Sequence, residues 1–216
     1  MTDDAVQTEI LEPGPYVTEE EQDYFMKMYE SMLEDSGIVA ASGSVPKNVP
    51  ESVYADLINM ANKKGRKFLL DTSGELLRLG IDAVPFMIKP NKEELETLTG
   101  RKISDEKDVV KCVMDLSRKN IKCIVVSLGA QGSVVYFDGK MFRVTVPCVK
   151  AVNPVGSGDS LVGGFAVGIE RDYSMDDIIA LGTACGTANA MLEKTGYIEP
   201  ELVRRIMKEV SINRIK

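Results

Sequence analysis

Apolar residues along this chain follow two alternating patterns: short runs rich in β-branched residues, and longer stretches with helical spacing. The short runs predict strands at residues 6–10, 37–41, 68–71, 84–88 and 121–128. The longer stretches predict helices at residues 18–34, 51–64, 92–99, 105–119, 158–170, 175–193 and 199–210. Strands that alternate with helices in this way are typical of a parallel sheet joined by crossover helices, so the pattern indicates an α/β fold.

Local signals fix three boundaries. Thr18 followed by Glu21 predicts a capping box at the start of the first helix. Asp138-Gly139 separates two alternating runs, 132–137 and 141–146, and predicts a hairpin because this dipeptide tolerates the positive φ angles of the turn. Residues 71–74 are interpreted as a capped turn without a ligand.

Length and charge narrow the class of protein. A chain of 216 residues with 44% hydrophobic content predicts one globular domain over residues 1–216. The net charge of −7 argues against a nucleic-acid or membrane-surface partner, because both need a basic face. Neither a signal-peptide pattern nor an apolar run of membrane-spanning length is present, so the cytoplasm is the expected compartment.

Cysteine and histidine usage constrains the chemistry. The four cysteines, Cys112, Cys123, Cys148 and Cys185, have irregular spacing, which predicts reduced, buried thiols. Histidine is absent, which excludes histidine metal sites and serine–histidine triads. An enzyme of this composition must therefore use carboxylates, lysines or backbone dipoles.

The segment Gly156-Ser157-Gly158-Asp159 is the first candidate for chemistry. Its glycines allow successive N–H groups to face one concavity, and the helix that follows adds its positive end, so the turn can hold an anionic group. Asp159 beside it can accept a proton from a hydroxyl group. The alternative is that Asp159 only caps the helix.

Three further segments follow predicted strands, where ligands gather in an open α/β sheet. Lys89, Asn91 and Glu94 end one strand and start a helix, although Asn91 and Glu94 could equally serve as helix caps. Residues 127–132, with two glycines, form either a nucleotide-binding loop or an ordinary turn. Residues 42–44 form a serine-rich turn. The small residues of 182–190 suit either an adenine wall or close helix packing, and Asn189 is not assigned to the site.

The motif "NPVGSGDSLVGG" resembles the signature of the phosphofructokinase-B, or ribokinase-like, carbohydrate kinases. This resemblance implies a three-layer α/β/α fold with a mostly parallel central sheet. It also implies that Asp159 is the catalytic base and that the N–H groups of Gly156, Ser157 and Gly158 form the anion hole. The implied cofactors are ATP and Mg²⁺, and the implied partners are ATP and a small sugar phosphate.

The same resemblance assigns roles to the other segments. Asn91 and Glu94 would organise magnesium through its water shell, and Lys89 would face the nucleotide phosphates. The remaining implied contacts are ATP-site positions Ser127, Gly129 and Gly132 and sugar-site positions Ser42, Gly43 and Ser44.

Five segments are most similar to the branch that phosphorylates tagatose 6-phosphate: "QTEILEPGP", "SGSVPKNVP", "VSLGAQG", "NPVGSGDS" and "KTGYIEP". They imply transfer from ATP to the 1-hydroxyl of a ketohexose 6-phosphate, with phosphorylation of fructose 1-phosphate as the alternative. The family's early glycine-rich sugar signature and its lid strands, which often mediate homodimers, do not occur in this sequence. We therefore expect an uncovered apolar sheet edge, and a nucleotide-binding remnant or interaction module is the other alternative.

Overall fold

The computed structural model of the chain describes residues 14–215, so the strand predicted at residues 6–10 lies outside the described residues. Within that range the chain forms one seven-stranded sheet with helices on both faces. The strands are β1 (Ile38–Ser42), β2 (Lys67–Asp71), β3 (Met87–Ile88), β4 (Cys123–Ser127), β5 (Ser133–Phe137), β6 (Lys140–Thr145) and β7 (Ser211–Ile215). The helices are α1 (Glu19–Met32), α2 (Val53–Lys63), α3 (Gly74–Asp82), α4 (Lys92–Thr99), α5 (Glu106–Ser117), α6 (Ser157–Glu170), α7 (Met175–Ala190) and α8 (Pro200–Met207).

The strands lie in chain order, and the sheet is mixed. β1 to β4 pair in parallel, whereas β4 to β7 pair antiparallel, and α6, α7 and α8 lie between β6 and β7 along the chain. The predicted hairpin is confirmed: β5 and β6 pair around Asp138 and Gly139, which both have positive φ angles. The parallel half of the sheet is the half that brings strand ends to one edge, as a ligand site in an α/β fold requires.

Alternation within the strands divides the core into two layers. In β2, Leu70 faces the layer that contains Ile58 of α2 and Leu77 of α3, while Leu69 faces the layer that contains Phe165 of α6. These side chains are at most 1% exposed. The sheet is thus covered on both faces, which confirms the three-layer α/β/α arrangement.

Helices α6 and α7 approach each other closely because glycines line their contact. A methyl group at Gly182 would lie 2.1 Å from the Phe165 ring, and one at Gly164 would lie 2.7 Å from the Gly182 backbone. Gly164 of α6 and Gly182 of α7 therefore have a packing function. This contact anchors the helix whose first turn carries Asp159.

The edge at β1 is less covered than the centre of the sheet. β1 contains no fully buried residue, and α1 beside it also has none. Met26 and Tyr29 of α1 pack against the core, whereas an outer face remains exposed to solvent. That outer face consists of Tyr24, Phe25, Met28 and Met32.

Three differences from the predicted elements have local causes. The strand predicted at 84–88 shrinks to two residues because Val84 has a φ of 58° and Pro85 follows it. Helix α3 was missed because Ser73 makes no side-chain capping bond and Gly80 interrupts a helix of only nine residues. Strand β7 follows α8, where the prediction extended that helix to residue 210.

The cysteines are all free within the described residues, but one prediction about them is wrong. Cys112, Cys123 and Cys185 are buried, whereas Cys148 is exposed. Burial raises the pKa of the Cys185 thiol to about 11, so this thiol stays protonated at neutral pH.

No helix between residues 14 and 215 combines the length and the apolar character needed to cross a bilayer.

Candidate active site

The carboxyl ends of the parallel strands bring distant parts of the chain together. Ser42 ends β1, Asp71 ends β2, and Lys89 follows β3 directly. The first turn of α6 lies opposite these ends: the Ser42 hydroxyl donates a hydrogen bond to Asp159 Oδ1 over 2.8 Å, although 117 positions separate the two residues. The topology thus joins two of the predicted segments at one carboxylate.

The turn before α6 is shaped by an asparagine and a glycine. Asn153 Oδ1 accepts a hydrogen bond from the Val155 N–H over 3.0 Å, which is an Asx turn. Gly156 then has a φ of 81° and a ψ of 0°, a left-handed conformation that a residue with a Cβ adopts only with strain. The helix begins at Ser157, so its first amides point out of its N-terminal end.

The set of free amides differs from the predicted set. The Ser157 N–H donates to the Pro154 carbonyl over 3.1 Å, so this amide is used within the turn and is not available to an anion. The N–H groups of Gly156, Gly158 and Asp159 have no acceptor among residues 14–215. Three amides therefore remain beside the Asp159 carboxylate, with Asp159 in the place assigned to Ser157.

Lys89 and Asp71 form an ion pair beneath this turn. Lys89 Nζ lies 3.1 Å from Asp71 Oδ1, and the two side chains are only 10% and 14% exposed. A methyl group at Gly158 would lie 3.1 Å from Lys89 Nζ, so glycine at this position leaves room for the ammonium group. Lys89 thus places its ammonium group directly behind the turn, and Asp71 offsets part of that charge.

Asp71 is a site residue that the sequence interpretation missed, since residues 71–74 were read as a turn without a ligand. Burial raises the pKa of its carboxyl, while Lys89 opposes that change and the carboxylates of Glu94 and Asp159 add to it. Glu94 of α4, Asp159 of α6 and Lys89 all lie close enough to affect this pKa. The three charged groups therefore belong to one site with Asp71. A signal was present in the sequence: Asp71 ends the strand predicted at 68–71, just as Ser42 directly follows the strand predicted at 37–41.

Asn91 and Glu94 cap helix α4 reciprocally. Asn91 Oδ1 accepts from the Glu94 N–H, and Glu94 Oε2 accepts from the Asn91 N–H, each over 2.8 Å. The capping interpretation of these residues is therefore correct, and it leaves Glu94 Oε1 without a bond to a described residue. No group of three or more acidic, histidine or cysteine side chains suited to a metal is present between residues 14 and 215. Glu94 Oε1 is an oxygen donor of the kind that could bind Mg²⁺ directly or through a water molecule.

The loop after β4 lies next to this cap, and its two glycines, Gly129 and Gly132, have different surroundings. The Ser127 N–H donates to the Pro90 carbonyl over 3.0 Å, which ties the loop to the start of α4. A methyl group at Gly132 would lie 2.2 Å from the Val144 carbonyl, so the close approach of strand β6 requires glycine at this position. Gly129 has open space around it, with a φ of 59°, and remains the accessible position of the loop.

Hydrogen bonds hold one residue of the turn after β1, Gly43, in place. The Gly43 carbonyl accepts hydrogen bonds from the Thr72 hydroxyl over 2.7 Å and from the Tyr54 hydroxyl over 3.1 Å. Ser44 is exposed and makes no hydrogen bond with the described part of the chain. Ser42 is thus the member of this group that reaches the Asp159 carboxylate.

Comparison with known proteins identifies related chains. A sequence model of pfkB family carbohydrate kinases matches residues 1–202. A Staphylococcus aureus protein assigned as a phosphofructokinase is 31% identical, with a TM-score of 0.86 over 98% of this chain and 68% of its own. Escherichia coli phosphofructokinase-2 in complex with potassium is 30% identical, with a TM-score of 0.84 over 92% of this chain and 65% of its own. The chain therefore spans about two thirds of the length of these structures.

Proposed function

Because this chain belongs to the pfkB family of carbohydrate kinases, we propose that it transfers the terminal phosphoryl group of ATP to a hydroxyl group of a ketohexose phosphate. The observation that carries the proposal is the position of Asp159. Its carboxylate accepts a hydrogen bond from the Ser42 hydroxyl over 2.8 Å and lies at the N-terminal end of α6, beside the free N–H groups of Gly156, Gly158 and Asp159. A base and an anion-binding turn are thus adjacent, as phosphoryl transfer to an alcohol requires.

The proposed reaction uses these groups in one step. The acceptor oxygen forms a bond to the terminal phosphorus of ATP while the bond to the bridging oxygen breaks and ADP leaves. Asp159 takes the proton of the attacking hydroxyl. The N–H groups of Gly156, Gly158 and Asp159 donate to the oxygens of the transferred group as charge spreads over them. Ser42, which holds the carboxylate in the unliganded protein, orients it toward the acceptor.

Lys89 and the α4 cap are proposed to hold the nucleotide end. Lys89, paired with Asp71 beneath the turn, would face the phosphates. Glu94 and Asn91 would bind the water shell of Mg²⁺, which when bound neutralises charge between the β- and γ-phosphates. Ser127 and Gly129 would line the ATP site beside this cap, where the loop is tied to Pro90.

Tagatose 6-phosphate is the acceptor that we propose, with tagatose 1,6-bisphosphate as the product. The support is the likeness of the five segments named above, which include "SGSVPKNVP" after β1 and "NPVGSGDS" before α6. Both segments meet at the Ser42–Asp159 hydrogen bond. The related Escherichia coli phosphofructokinase-2 has been crystallised with fructose 6-phosphate, so this sugar belongs in the test as well as fructose 1-phosphate.

A coupled assay of ADP release with these three sugar phosphates tests the proposal. We expect turnover to be highest with tagatose 6-phosphate. The Asp159→Asn variant should lose about 10²- to 10⁴-fold in kcat, because its amide cannot take the proton, and should still bind a non-hydrolysable ATP analogue with magnesium in a calorimetric titration. Asp23→Asn on the exposed side of α1 is the matched control and should keep wild-type turnover.

The possible results separate the alternatives. Higher turnover with fructose 1-phosphate or fructose 6-phosphate would reassign the acceptor and leave the kinase proposal standing. Nucleotide binding without turnover on any of the three would identify a nucleotide-binding remnant or interaction module. If Asp159→Asn turns over normally, Asp159 is only a helix cap. Sedimentation of the purified chain would test the proposed homodimer; a tetrameric inhibited form is known for the Escherichia coli enzyme.

A further inference from the structure

Asn189, near the end of α7, is a fully buried polar residue beside the turn that precedes α6. It is 0% exposed, one of four buried polar residues in the described part of the chain. Its side-chain amide is fully used: Nδ2 donates to the Val155 carbonyl over 2.8 Å and to Ser157 Oγ over 3.1 Å, and Oδ1 accepts from the Gly196 N–H over 2.7 Å. Asparagine within a helix has low intrinsic preference, so these bonds explain its presence there.

The three bonds enclose Gly156. Val155 precedes that residue and Ser157 follows it, so one amide bonds to the backbone before the left-handed glycine and to the side chain directly after it. Gly196 packs against the same residue: a methyl group at Gly156 would lie 2.9 Å from the Gly196 nitrogen. The direction of the free amides at Gly156 and Gly158 is therefore coupled to the position of the Asn189 side chain.

Two further contacts show that α7 and the segment after it pack closely against this turn. A methyl group at Gly186 would lie 2.9 Å from the Ser157 carbonyl, so a glycine three residues before Asn189 lets the helix approach the turn. On the opposite side, Asn153 Nδ2 donates to the Glu193 carbonyl over 2.9 Å. The turn and the segment after α7 are thus connected by side-chain amides from both directions.

We infer that Asn189 is a positioning residue for phosphoryl transfer, which acts by holding the Gly156 turn in the conformation that aims its amides at the transferred group. The inference rests on the function proposed above. Asn189 touches neither the acceptor nor the nucleotide in this account, so its loss should lower kcat more than it weakens nucleotide binding. A misplacement of about 1 Å in such a turn costs on the order of 100-fold in rate.

The test compares Asn189→Ala with Ile179→Ala, a control in the same helix that removes a fully buried side chain far from the turn. Both variants should unfold at lower temperature than the wild type. Asn189→Ala should lose about 10- to 100-fold in kcat with a change in KM for MgATP of less than about threefold. Ile179→Ala should keep its kcat at temperatures where it is folded.

The conservative variant Asn189→Asp separates positioning from packing. It preserves the shape of the side chain and its acceptor for Gly196, but an ionised carboxylate cannot donate to the Val155 carbonyl. A protonated carboxyl can make one such bond, so the ratio of variant to wild-type kcat should rise as the pH falls. A role in packing alone predicts a ratio that does not depend on pH.

Hydrogen exchange in the unliganded protein provides a measurement that does not require a substrate. Peptides that cover residues 150–160 should exchange faster in Asn189→Ala than in Ile179→Ala, relative to peptides from β4 in the same protein. Unchanged exchange in this turn together with a kcat within twofold of the wild type would overturn the inference. If the turn loosens as expected while the wild type transfers no phosphoryl group, the proposed function fails and the structural role of Asn189 stands.

Discussion

The two sides of the Asp159 carboxylate are built differently. On the α6 side, the turn is enclosed by bonds from Asn153 and Asn189, and a methyl group at Gly156 would meet protein atoms at 2.9 Å. On the β1 side, Gly43 also has a positive φ, 90°, but a methyl group there would meet nothing within 4 Å. The proposed phosphoryl-binding side is therefore fixed by the interior of the protein, whereas the proposed acceptor side is open.

Burial of the supporting elements shows the same contrast. α6 contributes Phe165 and Ile169 to the core and contacts α7 through glycines, whereas β1 has no fully buried side chain. Within the described residues β1 is an edge strand that pairs with β2 alone. If the proposed roles are correct, the phosphoryl-binding turn is preorganised in this chain, while selection of the acceptor depends on the edge of the sheet.

We expect the largest effect from Gly156→Ala, which disturbs the enclosed turn before α6. The added methyl group meets the Gly196 nitrogen and Thr195 at 2.9 Å and stands on a left-handed backbone, so the turn must shift. We expect kcat to fall by about 10²- to 10³-fold, with a lower melting temperature. Steady-state kinetics and thermal unfolding measure the two effects.

Gly43→Ala is the matched comparison, because it adds the same methyl group at a similar φ in open space. Its cost should be limited to backbone strain of about 1–2 kcal/mol in the free energy of unfolding. Its loss of kcat should be at least tenfold smaller than that of Gly156→Ala. Equal losses in the two variants would show that the two sides are equally constrained and would remove the contrast.

A smaller effect is expected from Ser42→Ala, which removes the hydrogen bond that links the two sides. A bond to a charged group contributes about 1.5 kcal/mol, so we expect kcat to fall by about tenfold with little change in nucleotide affinity. Ser36→Ala provides the control, since the Ser36 hydroxyl bonds only to the Met32 carbonyl at the end of α1. A Ser42→Ala variant with wild-type kcat would mean that Asp159 needs no orientation from β1.

The smallest effect is expected at Asp71, which lies between the two sides. It is a change in the free energy of unfolding with pH. Burial raises the pKa of Asp71 above its unfolded value, so the protonated form is favoured in the folded protein. Stability from this group is present at low pH and is lost as the pH rises through the raised pKa. The free energy of unfolding of the wild type, relative to Asp71→Asn, should therefore decrease as the pH rises.

Urea unfolding at several pH values between about 4 and 8 measures this difference. Asp71→Asn also removes the partner of Lys89, so the trend of the difference with pH is compared rather than its size at any one pH. A difference that increases with pH would mean that attraction to Lys89 outweighs burial at Asp71.

Much of the fold could be predicted because its signals are local. The capping box of Thr18 and Glu21 and the hairpin at Asp138-Gly139 each depend on a few adjacent residues, and both formed as predicted. α3 and β7 were missed because their formation depends on contacts across the fold. Gly80 in α3 is accommodated by packing against Leu70, and β7 forms by pairing with β6.

The candidate site was predicted only in part for the same reason. A motif located Asp159 and its turn, since the glycines that shape it are adjacent in sequence. The contribution of Asp71 arises from its distance to Lys89, and that of Asn189 from its bonds to residues more than 30 positions away. Spacing along the chain contains no information on such contacts. The engagement of the Ser157 amide by Pro154 likewise required the backbone conformation of the turn.

The position of Ser42 on an edge strand has a consequence for how related kinases could diversify. Substitutions in β1 and the turn that follows it disturb few interior contacts, so acceptor preference can drift there at little risk to folding. Changes around Gly156 would propagate into two helices at once. Lineages descended from such a chain are thus expected to differ most in the sugar they accept and least in the way they hold the nucleotide.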